Sequence, residues 1–266
     1  MSGHTPLYGN LGRMKIVVCI KHVPDVQSER RFEEGRLLRG DEDVLNELDE
    51  NAVEAAVSLA EDAGGEVIAL TMGPEDSEDG VRRALQMGAD SGLIVADDRL
   101  AGADVVTTAR VLAAAIGCIG GVDLIVTGMA SLDGMTSMLP GALAAAAGVP
   151  ALTLATELEV ADGAVTIQRT TGTLRETLRA PLPALVSVTD QVNEPRYPNF
   201  AAMRAAKKKP LDVLSLDDLG LEGLEDPAVS VVAAQARPAR EAGIIRTDAG
   251  DAGRELAAWL VESKLV

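Results

Sequence analysis

Short β-branched runs alternate with longer stretches of helical period over the first 150 residues, and this alternation narrows the possible folds more than any other feature. The runs are "KIVVCIKH" (15–22), "EVIALTMG" (66–73), "SGLIVAD" (91–97) and "VDLIVTGM" (122–129). Each is too short for a helix and too continuously apolar for a strand with one wet face. Between them, Asp49 to Ala63 carries Ala52, Val53, Ala56, Val57 and Ala60 on one side, and "ADVVTTARVLAAAIG" repeats the pattern behind an N-cap at Asp104. Strands apolar on both faces are covered on both faces, so the spacing predicts an α/β fold: a mostly parallel open sheet flanked by helices.

After Pro150 the rhythm changes. Alternating runs meet at Asp162-Gly163, a pair suited to a tight hairpin turn, and predict an antiparallel hairpin extension of the sheet. From Leu214 onward Asp, Gly, Pro and Ala dominate until "RELAAWLVESKL", a short amphipathic helix. The expected organisation is therefore a disordered leader or misassigned start over residues 1–13, an α/β domain over 14–213 and a C-terminal arm over 214–266.

Charge and composition exclude several classes of function. With 24 Lys and Arg against 41 Asp and Glu, net charge -17, no large basic face is available for nucleic acid. No apolar run approaches the roughly 18–20 residues of a membrane span. The two cysteines, Cys19 and Cys118, sit in apolar surroundings and read as small core residues of a protein in a reducing cytoplasm. The two histidines, His4 and His22, join no cluster with metal-ligand spacing. The phosphate-binding G-x-x-x-x-G-K-[ST] loop, the dinucleotide G-x-G-x-x-G and the G-x-S-x-G elbow are absent from their strand-to-helix contexts. What stands at the strand ends is a set of small or polar turns: "KHVPD", "TMGPEDS" and "TGMASLDGMTSMLPG". In an open α/β sheet ligands bind outside those ends, and a turn rich in backbone N–H groups that leads into a helix suits a phosphate. Ordinary connecting turns would look similar.

The stretch "NEPRYPNFAAMRAAKKKP" (193–210) stands apart: it holds two of the four Phe and Tyr residues and a run of three lysines in an acidic chain. Pro195 and Pro198 fix two φ angles and bias the residues before them to extended conformations, so the segment is stiff around Tyr197. A stiff loop loses less entropy on docking. Tyr197 and Phe200 could instead plug the domain's own core, with Lys207 to Lys209 as solvated charges at a helix end.

The order "KHVPD", "NELDENAVEAA", "ALTMGPEDSEDGVRRALQMGAD" and "NEPRYPNFAAMRAAKKKPLDVL" resembles the beta subunit of electron-transfer flavoprotein from Met14 to near the C-terminus, the last segment being the specific one. The resemblance implies an adenine nucleotide α-hydrolase-like sheet and a non-catalytic subunit paired with an alpha subunit that carries the redox-active FAD. It further implies a structural AMP in this chain, or FAD in electron-bifurcating members; AMP, which asks less of the side chains, is preferred, and an empty pocket is a third option. Electrons would arrive from acyl-CoA or related dehydrogenases, as in fatty acid β-oxidation, and leave toward a quinone-linked oxidoreductase or another acceptor. By the same resemblance Cys19, Asn46 and Met72 line the adenosine pocket, and the nucleotide loop runs from Gly128 to Leu139 through Asp133, Gly134, Met135, Thr136, Ser137 and Met138. Core filling for Cys19 and Met72, and a cap or turn for Asn46, are the plainer readings. Asp133, Gly134 and Thr136 follow the family pattern, whereas Met135, Met138 and Pro140 depart from it. Val26 stands where many members present Tyr or Thr to the flavin and offers no hydroxyl. Phe200 takes the place of the apolar anchor, usually Leu, that enters a partner dehydrogenase, with Tyr197 beside it. Two other readings share the architecture: an α-hydrolase-type enzyme, which would need a Gly-rich first turn where this chain has "KHVPD", and an AMP sensor, which would not need the arm.

Overall fold

The computed structural model describes residues 13–266 apart from 34, 35, 41, 225, 226, 236, 241, 242, 244 and 246. The leader expected over residues 1–13 lies, but for Arg13, outside the described residues. The chain divides into two compact units, residues 1–234 and 235–266.

In the first unit β1 (Lys15–Cys19) is followed by four short strands, β2 (His22–Pro24), β3 (Phe32–Glu33), β4 (Arg36–Leu37) and β5 (Asp43–Leu45), which pair as β2 with β5 and β3 with β4. Helix α1 (Glu47–Ala63), β6 (Glu66–Met72), α2 (Glu78–Met87), β7 (Ser91–Val95), α3 (Val105–Ile119) and β8 (Leu124–Gly128) then alternate. After α4 (Leu139–Ala147) come β9 (Ala151–Ala155), β10 (Glu157–Ala161), β11 (Ala164–Thr171), β12 (Leu174–Pro181), β13 (Ala184–Val188), α5 (Phe200–Ala206) and β14 (Leu211–Leu214).

Seven strands form one sheet in the order β14-β7-β6-β1-β8-β13-β9, and every pairing in it is parallel. This is the sheet predicted from the apolar runs. The alternation of side chains sorts each strand onto two cores: Ile16 and Val18 pack with α1 and α2, Val17 and Cys19 with α3 and α4. The helix ends follow local chemistry. Asp104 caps α3 by accepting the Thr107 N–H at 2.8 Å, and Gly64 closes α1 with φ 73°, where a side chain would be strained.

Asp162 and Gly163, both at positive φ, turn β10 into β11 as the sequence predicts. With β12 these strands make a three-stranded antiparallel sheet of their own instead of lengthening the central one. The region beyond 213 differs from the composition-based division. β14 is an edge strand of the central sheet, Leu216 is buried, and Leu219, Leu221 and Leu224 pack on the α3–α4 core. The first unit therefore runs about twenty residues past the expected boundary, because regularly spaced leucines within this Asp-rich stretch reach the core. The second unit contains α6 (Ala252–Glu262), which has no buried residue and exposes Leu256, Trp259 and Val261.

Candidate functional site

The strand order reverses at β1. The chain builds outward from β1 through β6 to β7 under α1 and α2, then crosses by α3 on the opposite face to place β8 on the other side of β1. Connections diverge there, leaving a crevice at the carboxyl ends of β1 and β8 where such sheets bind ligands. The turn after Cys19 and the loop from Met129 to Met138 border it.

The first turn of α1 stitches these two segments together. Asn46, fully buried, donates its backbone N–H to Lys21 O at 2.9 Å; its Nδ2 donates to Ala130 O at 3.0 Å and its Oδ1 accepts the Leu132 N–H at 2.9 Å. Its side chain makes no capping bond to α1. Asp49, one turn on, accepts the Lys21 N–H at 2.8 Å and lies against the Gly128 backbone N–H. Gly128 leaves room for this, since a Cβ there would stand 2.8 Å from Leu48 O and closer still to Asp49 Oδ1.

Burial pushes the Asp49 carboxyl up from 3.8 to about 7, against hydrogen bonds from Asn46, Lys21 and Gly128 and the Lys21 charge, which pull it down. A carboxyl that holds its proton more tightly when folded stabilises the fold fully below its unfolded pKa, and that contribution is lost as pH rises through the folded value. Urea midpoints should therefore fall between pH 5 and pH 8 by an amount that Asp49→Asn removes. An unchanged pH slope in the variant would show that Asp49 is not the group responsible.

Asp133 gathers cations on the crevice's outer side. Its side chain, 6% exposed, pairs with Lys21 Nζ at 2.9 Å and with Arg39 Nη2 at 2.7 Å. Burial would raise this carboxyl, but the two cations and Ser131 hold it below the ordinary carboxylate range. Beyond it Gly134, Met135, Thr136, Ser137 and Met138 are exposed, and Met135 and Ser137 adopt left-handed φ of 48° and 53°. Leu139 opens α4, and Pro140 sits in its first turn, where a helix N–H has no partner within the helix, so the proline removes no hydrogen bond from α4.

Across the sheet register Cys19 pairs with Thr127, and Thr127 with Ser187. All three point to the α3–α4 side, as does half-buried Met72 at the end of β6. Burial, then the nearby Asp49, push the Cys19 thiol up to about 12. Thr127 is 3% exposed and its Oγ1 has no hydrogen-bond partner among the described residues.

A second arrangement is built on the outward side of α1. Asn51 and Asn193 exchange hydrogen bonds: Asn51 Nδ2 donates to Asn193 O at 3.1 Å, and Asn193 Nδ2 to Asn51 O at 3.0 Å. Arg196 pairs with Glu54 and Glu61, both at 2.7 Å, and donates its backbone N–H to Glu54 at 3.0 Å. Burial alone would raise Glu54, yet Arg196 holds it below its usual value. Pro198 is buried, so the loop is fixed on both sides of Tyr197. Tyr197 is nevertheless 88% exposed, with Arg83 over its ring at 5.4 Å, and Phe200, the first residue of α5, is 89% exposed. Neither plugs the core. Of the three lysines, Lys207 and Lys208 are exposed, whereas Lys209 donates to Leu85 O at 3.0 Å and Ala89 O at 2.6 Å and caps the end of α2. Lys209 is thus neither a solvated charge nor free to steer a partner.

The family model of the Electron transfer flavoprotein domain matches residues 36–219. The chain is 40% identical to the electron transfer flavoprotein subunit beta of Mycobacterium leprae, over 94% of this chain and 99% of that one. The chain belongs to the electron transfer flavoprotein family. It is also 31% identical to the Bacillus subtilis subunit beta, covering 95% and 100% of the two chains. Against the Acetobacterium woodii caffeyl-CoA reductase-Etf complex subunit CarD it is 32% identical, covering 95% and 98%.

In this electron transfer flavoprotein chain Cys19, Asn46, Gly128 and Asp133 meet at the β1–β8 crevice, Met72 stands one strand away, and Tyr197 and Phe200 form a separate exposed pair. Sequence reasoning missed Lys21, Arg39, Asp49 and Thr127. Thr127 left a signal, a polar residue closing the apolar run "VDLIV"; Arg39 left none. Among the described residues no group of His, Cys, Asp and Glu could hold a metal ion, and no helix is long and apolar enough to cross a membrane.

Proposed function

We propose that this chain is the beta subunit of a heterodimeric electron transfer flavoprotein of the cytoplasm. It docks acyl-CoA or related dehydrogenases, holds a structural AMP, and passes electrons through the FAD of an alpha subunit toward a quinone-linked oxidoreductase or another acceptor. The observation that carries this reading is the loop pinned to α1 by Arg196, which holds two bulky aromatic rings almost wholly in solvent. Apart from the Arg83 contact on Tyr197, the two rings leave apolar area uncovered in this chain, area that a partner pocket would bury. The exposed apolar residues of α6 are the surface offered to the alpha subunit.

The crevice fits AMP. Its loop after β8 exposes Gly134, Thr136 and Ser137 and runs into the N-terminus of α4, a place suited to a phosphate. Bound there, AMP would supply no redox chemistry, and the loop from Met129 to Met138 with the strand ends would hold it. Asp133 and Asn46 position that loop, Cys19 and Met72 would provide apolar surface, and AMP is preferred to FAD because it asks less of the side chains.

Gly134→Trp tests the nucleotide. A Cβ at Gly134 meets only Ser131 Oγ, at 3.3 Å, so the folded chain tolerates a side chain there while the nucleotide's place is obstructed. The heterodimer should lose AMP and assemble less completely, with the intrinsic transfer rate of assembled, FAD-loaded dimers unchanged. Loss of that rate would give the nucleotide a redox role and contradict a structural one.

A further inference from the structure

We propose that Arg83 is a positioning residue for docking, one that holds the Tyr197 ring in the orientation a partner dehydrogenase receives; the inference rests on the docking reading of Tyr197 and Phe200. Arg83 lies outside that segment, on α2, and its Cζ stands over the Tyr197 ring, 5.4 Å from the centroid. Its Nε donates to Glu50 Oε1 at 2.9 Å, which ties the guanidinium to α1 as well.

The backbone on either side of Tyr197 is fixed by other means. Arg196 donates its backbone N–H to Glu54 and pairs with it through the side chain, Pro198 is buried, and Asn199 caps α5 by accepting the Ala202 N–H at 2.9 Å. Those contacts settle the path of the chain and leave the tyrosine side chain 88% exposed. An exposed ring moves among rotamers, and that freedom is lost when a partner closes on it. A cation over one face favours one orientation in advance and leaves the opposite face for the partner.

The neighbouring arginine shows the contrast. Arg82 pairs with Glu78 one turn earlier on the same helix, at 2.8 Å, and so serves α2 itself. Arg83 reaches two other elements, α1 and the loop, at the place where the chain passes from its anchor on α1 to α5, which packs on α2. The side chains of Arg83 and Glu50 are 29% and 25% exposed, so their ion pair contributes little to folding and its loss should leave the fold intact. What Arg83 adds is the orientation of a ring that nothing else on the loop holds.

The test measures reduction of the flavin of the proposed heterodimer by an acyl-CoA dehydrogenase over a range of heterodimer concentrations. Wild type is compared with Arg83→Met, Tyr197→Ala, Phe200→Ala and the double variant Arg83→Met with Tyr197→Ala. Arg83→Met keeps a long apolar stem and removes the cation. It should raise the half-saturating concentration roughly 2- to 5-fold, the contribution of one exposed cation–π contact, with limiting rate and melting temperature held. In the double variant the loss should equal that of Tyr197→Ala alone, because Arg83 acts through the ring. Unchanged half-saturation in Arg83→Met would overturn the proposal. A loss of undiminished size on top of Tyr197→Ala would overturn it too, making Arg83 a direct contact of the partner. A lowered melting temperature with unchanged docking would make Arg83 a residue of the fold and end the proposal. Weakened docking in Phe200→Ala with none in Tyr197→Ala would remove this inference and leave the docking reading standing. No effect in any single variant would sink the docking reading itself, and this inference with it.

Discussion

Gly128→Ala should destabilise the first unit and loosen α1 from the loop that follows β8. The added methyl would stand 2.8 Å from Leu48 O and 2.9 Å from Leu48 C, and closer to Asp49 Oδ1, so it meets the backbone of α1 and not the end of a flexible side chain. Overpacking of this kind costs about 1–3 kcal/mol. Displacing α1 also pulls Asp49 from the Lys21 and Gly128 N–H groups, and each buried N–H left unpaired adds about 1–3 kcal/mol. For a domain of this size each kcal/mol lowers the melting temperature by roughly 2–4 °C, so the fall should be on the order of 10 °C. Gly141→Ala is the matched control: it lies in α4, its Cβ would meet nothing within 4 Å, and it should be neutral or slightly stabilising. Calorimetric melting of the three proteins checks this. Equal melting of Gly128→Ala and wild type would mean that α1 does not hold the loop through this contact.

The elements set by local chemistry were readable in advance. The four apolar runs become β1, β6, β7 and β8 within a few residues, Asp104 caps α3, and Asp162-Gly163 turns a hairpin. Each depends on neighbours a few positions away. What was not readable depends on groups far apart in the chain. Asn46 looks like a helix cap until its partners, Ala130 and Leu132, are brought in by the pairing of β8 with β1. Lys209 is one of three identical lysines; only the packing of α5 on α2 sets it apart as the one over the open carbonyls of Leu85 and Ala89. The burial of Asp49, an acidic residue in the first turn of a helix where solvent exposure is the ordinary state, follows from Gly128 on another element. The leucines from 216 to 224 were hidden by the Asp and Gly around them, which is why the first unit extends beyond 213.

The candidate site was partly legible for the same reason. Asp133 and Gly134 stand in a turn that the strand pattern locates, but the two cations on Asp133 come from a turn and a hairpin about a hundred residues earlier. Arg196 was legible as part of a stiff segment, while its carboxylate partners Glu54 and Glu61 are ordinary residues of a helix surface. That pairing turns a stiff loop into a fixed one, and so determines that Tyr197 and Phe200 face outward.

The measurement that bears most directly on the proposed function is the rate at which an acyl-CoA dehydrogenase reduces the flavin of the proposed heterodimer, followed by stopped flow for wild type and Phe200→Ala. Phe200 is 89% exposed, so its removal opens no cavity and the melting temperature should hold. As a docking anchor it should contribute roughly 1–3 kcal/mol, and at low dehydrogenase concentration reduction should slow by about 5- to 150-fold. Lys207→Ala and Lys208→Ala, both exposed, should change mainly the salt dependence of the rate. The account predicts slowed reduction at unchanged stability for Phe200→Ala; a lowered melting temperature with unchanged reduction kinetics would contradict it.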